Sequence, residues 1–303
     1  MTVELRAAGA RALIEPRFGG RIHQVFVEID GREEPLLYAP DDPAEYDRQP
    51  LIGGCYPMAP WPNRIRGGQF AWSGRQYRVP LDAAGEALHG LCFDRPWQVV
   101  ARVGRVVEMR CDFGPAWPWE GSAWQRIELG PGFLALKLEV RAAREAFPAG
   151  CGWHPWFRRD VAGSAGVTVG VAAASRYVLE DGIPTRELVA PAGDFLLDGR
   201  QLGQRRLDDC YTGLERPEAL VQWERLRLSV AFESPRPHLQ VYSPPEAFCL
   251  EPQTCAPDAF NLSAAGSVVD GAAVVAPGRP LALASRWTWV PTLNLAGPLG
   301  RGR

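Results

Sequence analysis

Alternation of apolar and polar positions runs through most of the chain. Val107, Met109, Cys111 and Phe113 are separated by Glu108, Arg110 and Asp112. Leu134, Leu136, Leu138 and Val140 alternate with Ala135, Lys137, Glu139 and Arg141, and Leu226, Leu228, Val230 and Phe232 with Arg227, Ser229, Ala231 and Glu233. A period of two sends successive side chains to opposite faces of a strand, so each run predicts one face on a core and one in water. Phe70-Ala71-Trp72, Ser73-Gly74 and Arg75 to Val79 read as a hairpin around a glycine-containing turn. No stretch of a dozen residues holds a 3.6 period, and 32 glycines and 28 prolines among 303 residues suit many strands and turns rather than helices. The pattern predicts an all-β protein, a large antiparallel sandwich. No internal repeat or linker interrupts it, so residues 1–303 are expected to form a single domain, with Asp41 to Pro50 a polar loop and Asn294 to Arg303 a loose tail.

Composition narrows the functional classes. A net charge of −2 favours neither nucleic acid nor an anionic membrane as partner. The seven cysteines are odd in number and contain no C-x-x-C, which argues against a disulfide framework. The longest uncharged run, Ala162 to Ser175, falls short of the roughly 20 apolar residues of a spanning helix. Glu4, Arg6 and Arg11 leave the first dozen residues without an apolar leader, so a cytoplasmic protein is expected and the Asn261-Leu262-Ser263 sequon is read as chance.

Candidate chemistry concentrates in a few segments. The chain has four histidines, and one, His154, stands among aromatics in Gly152-Trp153-His154-Pro155-Trp156-Phe157. Glu251 ends the apolar run Phe248-Cys249-Leu250 and is followed by Pro252. A glutamate and a histidine in apolar surroundings suit proton transfer near neutral pH. Cys151 precedes His154 by three residues, but that spacing on an extended segment points the pair to opposite faces, and a lone Cys/His pair does not make a zinc site. Three prolines in Pro57-Met58-Ala59-Pro60-Trp61-Pro62 hold the backbone that presents Asn63 and Arg64, whose guanidinium suits vicinal oxygens. Leu88-His89-Gly90 offers a loop donor. In Asp208-Asp209-Cys210-Tyr211 strand geometry lets at most one carboxylate enter a pocket, and in Leu239-Gln240-Val241-Tyr242 it places Gln240 and Tyr242 on one face. Each of these segments, taken singly, also has a purely structural explanation.

Their joint order carries more. From Asn63-Arg64-Ile65 through Leu88-His89-Gly90, His154-Pro155-Trp156-Phe157, Asp208, Leu239-Gln240-Val241-Tyr242, Glu251-Pro252 and Pro257-Asp258-Ala259-Phe260-Asn261, the chain resembles the aldose 1-epimerase (galactose mutarotase) family. The resemblance implies that family's β-supersandwich, with Glu251 as general base, His154 as general acid, and Arg64, His89, Asp208, Gln240 and Asn63 around a free aldose. It implies no metal and no cofactor, and leaves oligomeric state open. Two departures bear on which sugar is used: Leu91-Cys92-Phe93, where a second glycine or a more polar residue is expected, and the Asp208-Asp209 pair.

On that resemblance, Glu251 takes the anomeric proton while His154 protonates the ring oxygen, the open aldehyde rotates about C1–C2, and the pair reverses roles on closure. Reference values lose the ionised-Glu, protonated-His form by about pH 7.5, so neighbouring carboxylates, Asp208 or Asp209, are expected to raise the His154 pKa. Trp61, Trp153 and Trp156 are candidates to cover a pyranose face, and Trp117, Trp119 and Trp124 are expected in the core. The alternatives are a hexose-6-phosphate 1-epimerase, which needs extra positive charge, and a catalytically silent sugar binder on the same fold.

Overall fold

The computed structural model describes residues 1–82, 85–191, 201–264, 266 and 271–292; the expected loose tail 294–303 lies outside them. The three alternating runs form the strands Val106–Asp112, Phe133–Ala142 and Leu226–Glu233. Their apolar sets are buried, because period two places every second side chain on the inner face. The predicted hairpin pairs Gln69–Trp72 with Arg75–Arg78, and Ser73 (φ 48°) and Gly74 (φ 74°) supply the left-handed pair of a tight turn. The segment 41–50 is not all loop: Asp42 caps a 3-10 turn, Pro43–Asp47.

Every ladder among the described residues is antiparallel. One run of strands climbs from Gln98–Val103 through Val106–Asp112, Gly121–Gly130, Phe133–Ala142, Leu281–Pro291 and Leu226–Glu233 to Asp208–Gln222, Thr168–Glu180 and Ile183–Val189. A second passes from Val3–Ala7 through Ala10–Glu15, Arg21–Ile29, Cys55–Met58, Gly152–Arg158 and Ala247–Gln253 to His238–Tyr242. The long strand Asp208–Gln222 joins them, pairing at 208–211 with His238–Tyr242 and at 218–222 with Leu226–Glu233. The two layers share one core, in which Ile127, Leu138 and Val140 of the first run cluster with Val25, Trp153 and Leu250 of the second. Gln125 links them, accepting from Trp153 Nε1 (2.8 Å) and donating to Gly20 O (2.7 Å). Trp117 and Trp119 are core residues as expected. Trp124 is not: it is half-buried beneath the Arg141 guanidinium, 4.3 Å from the ring centroid. Among the described residues no helix is long and apolar enough to cross a membrane.

Gly152–Arg158 and Ala247–Gln253 break the alternation rule, being buried at nearly every position. A strand covered on both faces has no water side to mark with polar residues. One face of each lies on the sandwich core; the other forms the floor of a cavity.

Candidate active site

The floor is built by register. Gly152 pairs with Gln253 and Trp156 with Cys249, which sets His154 opposite Glu251 on adjacent strands. His154 pairs on its other side with Tyr56, and Glu251 with Gln240. A row Tyr56–His154–Glu251–Gln240 therefore crosses four strands on one face, the cross-strand neighbours of a pleated sheet. A second row two residues along sets Trp156, Cys249, Tyr242 and Asp208 beside it. Only one member of the Asp208-Asp209 pair enters the cavity: Asp208 lines it and Asp209 pairs with Arg176 at 3.1 Å.

The wall comes from loops. Arg64–Ile65 pairs with Ala87–Leu88, and His89 N donates to Asn63 O at 2.8 Å. Asn63 (φ 52°) and His89 (φ 59°) are both left-handed, a conformation that turns the chain sharply at each and brings both side chains to the cavity. Gly90 has no substitute, since a Cβ there would fall 2.1 Å from Ala59 O. Asp258 clamps this wall from behind. Its N–H donates to Arg64 O (2.7 Å), and its carboxylate accepts from Arg66 N (2.8 Å) and Asn261 Nδ2 (2.7 Å). The Pro257-to-Asn261 motif thus supports the arginine backbone rather than the cavity itself.

The resulting cavity of about 450 Å³ is lined by all seven residues singled out from the sequence: Asn63, Arg64, His89, His154, Asp208, Gln240 and Glu251. The sequence reading did not assign Tyr56, Leu51, Ile52 or Glu246 to the site, although they line it too. Only the pairing of Cys55–Met58 with Gly152–Arg158 brings Tyr56 there, and no local motif marks it. Of the three tryptophans expected at the site, Trp156 lines the cavity. Trp61 and Trp153 are core residues whose indole N–H groups bond Ala87 O (3.0 Å) and Gln125 Oε1 (2.8 Å).

His154 Nε2 lies 3.3 Å from Glu251 Oε1, and the other Glu251 oxygen accepts from Gln253 Nε2 at 3.0 Å. The imidazole stacks on Tyr56 (centroids 4.8 Å apart, 28°) and on Trp156 (5.5 Å, 15°). Gln240 Nε2 donates to Asp208 Oδ1 (2.6 Å), and Arg64 Nη1 to Asn63 Oδ1 (3.2 Å). His89 Nδ1, His154 Nδ1 and Gln240 Oε1 are buried with no hydrogen bond among the described residues, a cost accepted mainly where another partner completes the set.

Electrostatics correct one expectation. Burial pushes the Glu251 carboxyl well above the usual carboxylate range, Asp208 adds to the rise, and Gln253 and Arg64 oppose it. His154 is not raised by a neighbouring carboxylate; burial, with the Arg21 charge, holds it down to about 3. Its ring lies between two aromatic faces, where desolvation of the cation outweighs attraction to Asp208 or Asp209. Asp208 is itself raised by burial, with Arg64 and Gln240 pulling the other way. Both groups of the 3.3 Å contact thus favour their neutral forms, which leaves one proton on Glu251 and an uncharged imidazole beside it. Transfer of that proton from Glu251 to His154 leaves a base and an acid side by side without changing net charge. Among the described residues no group of three or more His, Cys, Asp or Glu is placed to hold a metal ion.

The aldose 1-epimerase family model matches residues 1–280. An uncharacterised Escherichia coli K12 protein, YihR, is 24% identical over 232 residues, covering 72% of this chain and 75% of its own. The chain superposes on a galactose mutarotase-like protein from Clostridium acetobutylicum with a TM-score of 0.84 at 20% identity, covering 96% and 95% of the two chains. An aldose epimerase homologue from C. elegans gives 0.82 at 18% identity, covering 97% and 99%.

Proposed function

Because the chain belongs to the aldose 1-epimerase family, we propose that it interconverts the α and β anomers of a free aldose, with Glu251 as general base and His154 as general acid. The observation that carries this reading is the Glu251–His154 contact of 3.3 Å on the buried floor of a monosaccharide-sized cavity. Ionised Glu251 removes the anomeric hydroxyl proton while His154 delivers one to the ring oxygen. The ring opens, the C1–C2 bond rotates, and the reverse transfers close the ring on the other face. The pair ends as it began, so turnover consumes nothing.

The surrounding groups have complementary tasks. Arg64, His89 and Asn63 offer donors from the wall, while Asp208 and Gln240 offer acceptors from the floor, a set suited to successive hydroxyls. Trp156 presents an aromatic face beside them. Asp208, Glu246 and Glu251 share the cavity with the Arg64 guanidinium. That balance favours an uncharged sugar over a sugar phosphate, whose dianion would meet three carboxyl groups.

The reading is tested by saturation-transfer NMR of anomer exchange over galactose, glucose, arabinose, fucose, rhamnose and glucose 6-phosphate, with Glu251→Gln beside the wild type. Acceleration of neutral aldoses, lost in the variant, supports it. A folded wild type that binds a sugar and accelerates none is a binding protein, and preference for glucose 6-phosphate would overturn the assignment of substrate charge.

A further inference from the structure

Arg21, the first residue of the strand Arg21–Ile29, is completely buried. Its five N–H donors are all accounted for by main-chain carbonyls. Nε donates to Phe18 O (3.0 Å), Nη1 to Ile52 O (3.3 Å) and Gly53 O (3.0 Å), and Nη2 to Pro50 O (2.5 Å) and Phe93 O (3.2 Å). No carboxylate is among these partners, so the guanidinium is solvated by peptide dipoles and keeps its charge uncompensated. The chain comes close by design of its glycines: a Cβ at Gly19 would fall 1.8 Å from Phe93 O.

Two consequences reach the cavity. Three of the five carbonyls held by Arg21, those of Pro50, Ile52 and Gly53, belong to the segment whose Leu51 and Ile52 side chains form one cavity wall, and Tyr56 Oη fixes the same segment by donating to Leu51 O at 3.0 Å. The guanidinium also lies over the Tyr46 ring at 3.9 Å and the Tyr56 ring at 4.9 Å, and Tyr56 stacks on His154. A positive charge, an aromatic ring and the imidazole thus stand in sequence behind the floor.

We propose that Arg21 is a positioning residue of this site: it fixes the Pro50-to-Gly54 wall and the Tyr56 platform, and its charge keeps a second proton off the Glu251–His154 pair. The inference rests on the acid–base reading of that pair. A pair that holds two protons has lost its base, so a fixed cation behind His154 protects the working form as the pH falls. Other groups face the imidazole as well. Glu251 and Cys249 come from its partner strand, Asp208 and Tyr242 from the next two, and Arg64, His89 and Glu246 from the rim. The carboxyl groups among them favour protonation of His154, and Arg64 opposes it from the cavity side; Arg21 opposes it from the protein side, where no carboxylate bonds the guanidinium.

The test compares Arg21→Met, which removes charge and donors at similar bulk, with Arg21→Lys, which keeps a charge but loses the fork. The acid limb of kcat/KM and the His154 ring resonances are followed by NMR against pH. In Arg21→Met both should move to higher pH by about one unit. Arg21→Lys should keep the wild-type limb, with a raised KM from the loosened wall. Unmoved limbs and resonances in Arg21→Met, with only Tm lowered, would make Arg21 purely structural. Should Arg21→Met fail to fold, Arg21→Gln, which also removes the charge, takes its place, and an acid limb and ring resonances unmoved from wild type in that variant overturn the proposal. The resonances report without turnover, so a protein inactive on every sugar refutes the proposed function and still tests Arg21.

Discussion

Replacing Glu251 by glutamine should abolish turnover while making the protein more stable at neutral and alkaline pH. The amide matches the carboxyl in shape and can keep both neighbours, His154 Nε2 at 3.3 Å and Gln253 Nε2 at 3.0 Å. What it cannot do is take a proton. Loss of a positioned base is typically worth ~10²–10⁴ in rate, or about 3–5 kcal/mol of transition-state stabilisation. The stability effect has the opposite direction. Glu251 is 1% exposed, and its folded pKa is raised well above the ordinary value of 4.5. A group raised on folding contributes stability that is complete below its unfolded pKa and is lost as the pH rises towards the folded value. The glutamine variant carries no such loss. Its stability relative to wild type should therefore be flat below about pH 4 and grow above that by up to roughly a factor of ten in the folding equilibrium per pH unit. Polarimetry of a freshly dissolved pure anomer gives the rate, and thermal unfolding from pH 4 to 9 gives the stability difference. A kcat/KM within tenfold of wild type, or a stability difference independent of pH, would refute the argument that Glu251 is a buried, raised base.

Three further outcomes follow from the same geometry. The acid limb of the kcat/KM profile should fall only as His154 takes up a proton, towards its value of about 3; loss of activity between about pH 7 and 6 would contradict the neutral imidazole. Arg64→Lys should raise KM by roughly 10–100-fold with a smaller change in kcat, because a single ammonium cannot reproduce a forked donor to two hydroxyls; initial-rate kinetics separates the two. Trp156→Ala should lower stability by about 3–5 kcal/mol and also raise KM, since the ring both packs on His154 and lines the cavity; a KM within about twofold of wild type would reduce its role to packing.

The strands and the layered fold were legible because water marks them: Val107, Met109 and Cys111 alternate with charged residues, and the strand Val106–Asp112 keeps that pattern in its burial. The same rule hides the floor, where Trp153 and His154 are both buried on strands without a water side. The seven site residues were named from motifs at separate points of the chain, but their meeting depends on register that no local pattern carries. Tyr56 shows the limit. It adjoins His154 only because Cys55–Met58 pairs with Gly152–Arg158. Trp153 adjoins His154 in sequence yet faces the core, since neighbours along an extended chain point apart, and Trp61 is buried in the core with its indole bonded to Ala87 O. The His154 expectation failed for a related reason. Its carboxylate neighbours and the adjoining Trp156 stand in the sequence motifs, whereas the Tyr56 face stacked on the ring, and Arg21 behind it, appear only in three dimensions.

The central claim is that Glu251 and His154 act as one proton-transfer unit. It is tested most directly by anomer-exchange rates for wild type, Glu251→Gln, His154→Gln and the double variant on one accepted aldose. The account predicts that each single variant loses most of the catalysis and that the double variant is no slower than the worse single one. Losses that multiply in the double variant, or full activity in either single variant, would contradict it.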